Sequence, residues 1–292
     1  MEAAVKPKSS DNVAVKILSL IFRIIARIFL YAWCLFSLYS LYWIGISSLK
    51  TDREFFENAW GFPAVAQWNN YVAAWAQNSL DLNFLNSVIV VAGSVLLILL
   101  ISTPAAYILS RIKFPFSNVV RGYVIIGMGI PVQLILVPLY FIMNQANLVN
   151  THLGLILVYT AISLSFTVFL EMGFFHTLPT ALAEAAAIDG CSPMGIFFKI
   201  MLPLGMPGVI TSAIFNFISL WNEFMIALTF LTSNEKFTLP VGIYALSTAM
   251  QYIGKWTTLM AGLVIVIVPT LLIYLLLSKQ IIEGLTMGAV KE

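Results

Sequence analysis

The side chains able to do chemistry are few. Two histidines, two cysteines and 13 carboxylates occur in 292 residues, and their spacing assembles no catalytic set. His152 and His176 flank one apolar run about 24 residues apart, roughly 36 Å at a helical rise of ~1.5 Å per residue, so they cannot form one site. Each reads as a solvated helix-end residue. The sequence has no H-E-x-x-H pair, no Ser-based elbow and no G-x-x-x-x-G-K-[ST] phosphate loop. Cys34 lies in an apolar run and Cys191 in a polar connection, which implies no disulfide framework. What is spaced is a set of polar residues inside apolar runs. Thr160, Ser163, Thr167 and Glu171 share one helix face, as do Ser212, Asn216, Ser219 and Glu223. Polar groups are costly in lipid and turn toward a cavity or a neighbouring helix. The Ser and Thr hydroxyls read as helix packing. Asn216, Ser219, Asn222 and Glu223 are the candidates for lining a path through the bundle, Asn222 and Glu223 near its outer end. Glu171, near the inner end of its run, reads as solvated.

The elements that must position these residues are membrane helices. The chain is 60% hydrophobic and 10% charged, with a mean hydropathy of +0.95, whereas soluble domains carry about 25% charged residues. A bilayer core needs roughly 20 apolar residues of helix. Six runs qualify, at 29–46, 87–109, 123–143, 153–175, 209–231 and 259–277. The first is preceded by Lys16, Arg23 and Arg27 but lacks a small-residue cleavage site, so it reads as a retained span behind an N-terminal cytoplasmic segment, 1–28. Of the 15 Lys and Arg, only Lys50, Arg53, Lys236 and Lys255 fall on the opposite side from the rest. The positive-inside rule then places both termini in the cytoplasm. The fold class is all-α, a polytopic membrane protein with six transmembrane helices. The net charge of +2 gives no basis for nucleic-acid binding. The outer segment 50–84, with Trp60, Trp68, Tyr71 and Trp75, reads as an interfacial aromatic belt ahead of a partner-docking surface.

The connection at 177–207 is too polar to span. Residues 181–188 are rich in helix formers, Gly190 can end that helix left-handed, and Ser192-Pro193 can cap and start another. Two short helices joined by a tight turn make a rigid knob that a cytoplasmic partner could grip.

Within it, Glu184-Ala185-Ala186, Gly190, Ile200 and Leu202-Pro203 follow the pattern EAA-x3-G-x9-I-x-L-P. The segment resembles the coupling loop of importer-type ATP-binding-cassette permeases. Asp189, Asn86-Ser87, Tyr107 with Ser110-Arg111, Pro131, Pro138-Leu139-Tyr140, Trp221-Asn222, Thr238-Leu239-Pro240, and Gly284-Leu285 with Gly288-Ala289-Val290-Lys291 extend the resemblance to the maltose-type carbohydrate branch, in its shorter permease partner. Glu292 stands where that branch often has Gly. The resemblance implies a type I ABC importer permease bundle over 29–292, with Glu184, Ala185, Ala186, Asp189, Gly190, Ile200, Leu202 and Pro203 coupling it to an ATPase. It further implies a bacterial or archaeal inner-membrane subunit without cofactor or catalysis of its own. ATP and Mg would bind a partner ATPase dimer, a second homologous permease would complete a heterodimer, and an extracytoplasmic solute-binding protein would deliver a sugar or oligosaccharide. No Lys or Arg sits mid-span, which favours a neutral ligand. An ion-coupled secondary transporter is the alternative, and it would show repeated halves or interrupted helices with midplane ion ligands; no internal repeat is legible.

Overall fold

Apolar chain in a bilayer satisfies its backbone by forming helices. The computed structural model describes residues 10–77 and 79–289, with no strand among the described residues. Lys6, Lys8, Val290, Lys291 and Glu292 lie outside them. In chain order the helices are α1 (Ser10–Ser47), α2 (Asp52–Glu57), α3 (Asn69–Val72), α4 (Leu80–Arg111), α5 (Ser117–Met128), α6 (Val132–Gln145), α7 (His152–Thr177), α8 (Thr180–Ile188), α9 (Pro193–Ile196), α10 (Leu202–Trp221), α11 (Met225–Phe230), α12 (Leu239–Ile253) and α13 (Trp256–Ala289). Five helical stretches are long and apolar enough to cross a membrane, one of them running from α9 through α10, and the bent pair α5 and α6 makes up to six when counted as one span.

That bent pair corrects the third expected span. Residues 123–143 are not one helix: α5 and α6 meet at 101°. The physical reason stood in the sequence, since Gly127, Gly129 and Pro131 fall together, and Pro removes a backbone donor while pushing its predecessor out of the helical region. Gly127 also lets α5 approach α7, because a Cβ there would stand 2.3 Å from Ser165 Oγ. The gap beside the break is lined mainly by apolar side chains, among them Met128, Ile130, Ile135 and Leu139, with Ser165 beside them and no charged residue. The fifth span lies earlier in the chain than expected. The apolar helical stretch runs Pro193–Trp221, and after Trp221 the chain turns into α11 instead of running through 209–231. At the N-terminus the helix extends the other way: Val15–Ser47 is one apolar helix of 33 residues.

The core is the packing of α4, α7 and α10, with α12 and α13 against them. Lipid is as apolar as these side chains, so close fit and hydrogen bonds hold such a core more than transfer from water does. The helices meet through small and branched residues, among them Val90, Val91, Ile98, Ala106, Leu155 and Val158, all nearly inaccessible. Gly205 and Gly208 of α10 admit the rings of Phe175 and Phe174, where added Cβ atoms would lie 2.5 and 2.4 Å from ring carbons. α1, by contrast, has no buried side chain between Val15 and Gly45.

Candidate functional site

The 177–207 connection folds as a helical hairpin. α8 ends at Ile188 with Asp189 as its C-cap, and Gly190 takes φ +80°. Cys191 N then donates to Ala186 O (2.9 Å) and Gly190 N to Ala187 O (3.1 Å), a Schellman closure that requires the left-handed residue. Ser192 Oγ caps α9 by accepting from Gly195 N (3.2 Å), with Pro193 opening the helix. A π-helical turn, Phe197–Met201, leads into α10. Residues of the spaced pattern divide into two sets. Ala186 is buried with Ile196 and Met201, and Ile200 packs beside them. Leu202 packs on Ala106, Leu109, Val168, Phe175 and Phe197. Glu184, Ala185, Asp189, Gly190 and Pro203 are exposed. Beside them stand bare apolar side chains, Ile188 (87% exposed), Met194 and Phe198. An apolar knob standing clear of the bundle is the form of a protein-docking surface.

The knob is fixed to the bundle by residues whose structural part the sequence reading did not see. Tyr107 of α4 packs edge-on to Phe175 at the end of α7 (5.7 Å between centroids) and against Phe197 before α10 (5.0 Å), the two places where the connection joins the bundle. One turn on, Arg111 Nε donates to Phe175 O (2.8 Å), and its Nη2 donates to Leu178 O. Arg121 Nε of α5 donates to Leu109 O (2.8 Å). These arginines close orphan carbonyls at helix C-termini. The available signal was the four-residue step from Tyr107 to Arg111, which places both on one face of α4.

The polar stripes part company along the bundle. Glu171 is fully buried, not solvated. It accepts from Ser212 Oγ of α10 (2.6 Å) and Ser102 Oγ of α4 (3.3 Å), joining three helices. It escapes water because α4 and α10 close over its face of α7. Asn216 Nδ2 donates to Thr167 Oγ1 (2.9 Å) in the same seam. Ser219 and Asn222 are exposed. Asn222 lines an open groove of about 410 Å³ with Phe224, Ile243, Tyr244 and Ser247. Glu223 is half-buried and engaged. It accepts from Ile226 N (2.7 Å) and Ala227 N (3.0 Å), capping α11, and from Tyr159 Oη (2.6 Å).

At the end remote from the hairpin, Asn86 Nδ2 donates to Glu235 O and Phe237 O (2.9 and 3.0 Å), and Ser87 Oγ accepts from Leu239 N (2.7 Å). Asn150 accepts from Thr232 N and Ser233 N (both 3.1 Å), and Lys236 Nζ donates to Asn150 O (2.7 Å). His152 belongs to this clasp and is not merely solvated, its Nε2 lying 3.1 Å from Lys236 O. His176 is exposed.

Residues 102–283 match the family model described as "binding-protein-dependent transport system inner membrane component". The diacetylchitobiose uptake system permease protein NgcG of Streptomyces coelicolor is 35% identical over 267 residues, covering 91% of this chain and 88% of that one. The melibiose/raffinose/stachyose import permease protein MelC of Bacillus subtilis is 35% identical over 249 residues, covering 84% and 88%. The sulfoquinovosyl glycerol transport system permease protein SmoH of Agrobacterium fabrum is 36% identical over 256 residues, covering 87% and 89%. In fold, the chain is similar to one from a crystal structure of a bacterial ABC transporter involved in the import of the acidic polysaccharide alginate, with a TM-score of 0.76 at 20% identity, covering 94% and 99%.

Proposed function

The chain belongs to the binding-protein-dependent transport system inner membrane components, and we propose that it is the subunit through which ATP hydrolysis on a partner moves a saccharide across the bilayer. It is a non-catalytic carbohydrate ABC importer permease. The observation that carries the coupling role is the hairpin itself. An exposed apolar knob turns on left-handed Gly190 and is tied by Tyr107, Arg111 and Leu202 to the helices that form the core. In this reading Ala185, Asp189, Gly190 and the apolar side chains beside them seat in a groove of an ATPase subunit, and Ala186, Ile200, Leu202 and Pro203 carry the displacement into α10. Glu184 adds an exposed charge, worth under about 1 kcal/mol as a surface pair, so shape and burial dominate the docking. ATP and Mg bind the ATPase dimer. Both termini lie in the cytoplasm, with the segment before α1's apolar stretch on that side.

One bundle of this size makes half of a translocation path, and a second homologous permease supplies the rest. An extracytoplasmic solute-binding protein delivers a sugar or oligosaccharide. Along this chain's half, Ser219 and Asn222 offer accessible polar atoms to the ligand, whereas Asn216 and Glu223 hold the wall in place. The lack of a mid-span cation favours a neutral saccharide.

Purification in mild detergent from the native membrane, followed by ATPase assays with a panel of neutral saccharides, tests the proposal. Co-purification of a second permease and an ATPase, with hydrolysis stimulated by one saccharide and its binding protein, is the expected result. A chain that purifies alone and moves solute down an ion gradient overturns it.

A further inference from the structure

Lys50 is fully buried although it stands three residues beyond the end of α1 in a connecting segment. Its Nζ donates to Asn58 O (2.7 Å) and Ala59 O (3.2 Å), and burial holds its ammonium below the usual lysine range against the pull of Glu54. The turn that it grips runs back along α1 instead of away from it. Trp60 stacks on Tyr39 (5.9 Å), Phe62 meets Tyr42 (5.9 Å), and Trp43 Nε1 donates to Ala59 O (3.0 Å). These partners precede Ser47, the last residue of α1, by four to eight residues, so the turn descends roughly 6–12 Å from that end at ~1.5 Å per residue.

Non-helical backbone at such a depth needs its polar groups met internally or by water at the interface, and four of the turn's N–H groups are met internally. Asn58 N donates to Glu54 O (2.9 Å), Gly61 N to Asn58 Oδ1 (3.0 Å), Ala64 N to Glu54 Oε1 (2.6 Å) and Gln67 N to Leu49 O (2.9 Å). Gly61 is needed for this closure, since a Cβ would fall 2.3 Å from the Asn58 amide. The outward face is apolar, with Phe56, Trp60, Phe62 and Val65 each more than 60% exposed. It continues the uncovered surface of α1, a membrane span.

We propose that residues 51–67 form a wedge seated in the lipid interface at the outer end of α1, pinned from within by Lys50, and that its partner is the headgroup and upper acyl region of the bilayer. The outer placement rests on the orientation proposed above; lipid contact itself does not. Aromatic rings are suited to that zone, and the depth matches the ~5–10 Å at which interfacial elements sit. The wedge is also tied to the last span, because Asp52 Oδ1 accepts from Thr257 N (3.0 Å) and Thr257 Oγ1 (2.9 Å) at the start of α13.

The test uses the assembled importer in nanodiscs, with Cys34→Ala and Cys191→Ala in the permease and the accessible cysteines of the other subunits replaced. Trp60→Cys is labelled with bimane, and quenching by phosphatidylcholine spin-labelled near its headgroup is compared with quenching by aqueous iodide. The wedge predicts lipid quenching at least about twofold above iodide quenching, unchanged by the solute-binding protein. Lys50→Met should reverse the ratio toward iodide, while Lys50→Arg should keep it on the lipid side. Dominant iodide quenching overturns the proposal, as does protection that appears only when the binding protein is added, which would make the face a protein-docking surface. Loss of the ATPase from the complex would instead count against the importer reading, so the two failures are distinguishable.

Discussion

Arg111→Ala should separate ATP hydrolysis from transport. Arg111 makes two charge-assisted bonds, to Phe175 O and Leu178 O, at the point where α7 gives way to the hairpin. Each such bond contributes about 1.5–3 kcal/mol when shielded. The side chain is only half-buried, so water replaces part of the loss and about 2–3 kcal/mol for the pair is the better figure. That corresponds to a roughly 30- to 150-fold shift in the equilibrium between a joined and a parted hairpin root. Tyr107 still packs on Phe175 and Phe197, so the bundle should assemble. The assay is saccharide moved per ATP hydrolysed in proteoliposomes, where Arg111→Ala should fall by roughly tenfold or more while hydrolysis continues. Arg111→Lys keeps the charge without the planar fork and should fall between. If the assembled Arg111→Ala complex moves as much saccharide per ATP as the parent, the joint does not carry the stroke and the argument fails.

Changes at four further positions probe the rest of the site. Gly190→Val forces a β-branched residue into φ +80° where a Cβ would meet nothing within 4 Å; backbone strain of at least about 1–2 kcal/mol, not a clash, should reduce saccharide-stimulated ATPase, and Gly190→Asn should restore most of it. Glu171→Gln keeps an oxygen to accept from one of Ser212 and Ser102 and an NH2 to donate to the other hydroxyl, and should leave the unfolding temperature close to that of the parent, whereas Glu171→Leu removes the shared acceptor, leaving Ser212 only its bond to Val209 O, and should lower it, measured by thermal unfolding of the detergent complex. Asn222→Ala, at an exposed position, should raise the apparent KM for transport with stability unchanged, while Glu223→Ala removes the cap of α11 and should cost about 0.5–2 kcal/mol of stability; the reverse pattern would move the pathway from Asn222 to Glu223.

What the sequence made legible follows from the range of the interactions involved. The hairpin is local: Gly190, Ser192 and Pro193 set its turn through bonds no more than five residues long, so their types foretold its shape. The six crossings were countable because an apolar run and a bilayer thickness are matched quantities. The break at Pro131 was written just as locally, yet a hydropathy window averages Gly129 and Pro131 into the apolar run around them. The fate of Glu171 was not legible, because it depends on Ser102 and Ser212, each more than 40 residues away. Nor was Arg111, whose acceptors are backbone carbonyls and so leave no mark in residue type. Asn86 is the same case at the other end, since it binds the carbonyls of Glu235 and Phe237.

These long-range bonds join α7 to α4 at two levels, and to α10 and the turn that follows it at three. Arg111 and Tyr107 tie α4 to the end of α7 beside the hairpin, Glu171 joins all three helices in the middle, and Thr167 with Asn216 continues the α7–α10 seam. Tyr159 then meets Glu223 where α10 gives way to α11. A helix pair held at one level can pivot about it, whereas one held at two or three levels resists pivoting. The parts outside this ladder are the ones able to yield. α5 and α6 bend by 101°, and α1 lies uncovered over most of its length. In the coupling proposed above, a push delivered at Gly190 would travel along α4, α7 and α10 toward the clasp around Asn150 and Lys236, and the placement of these hydrogen bonds favours motion of that ladder as a rigid body.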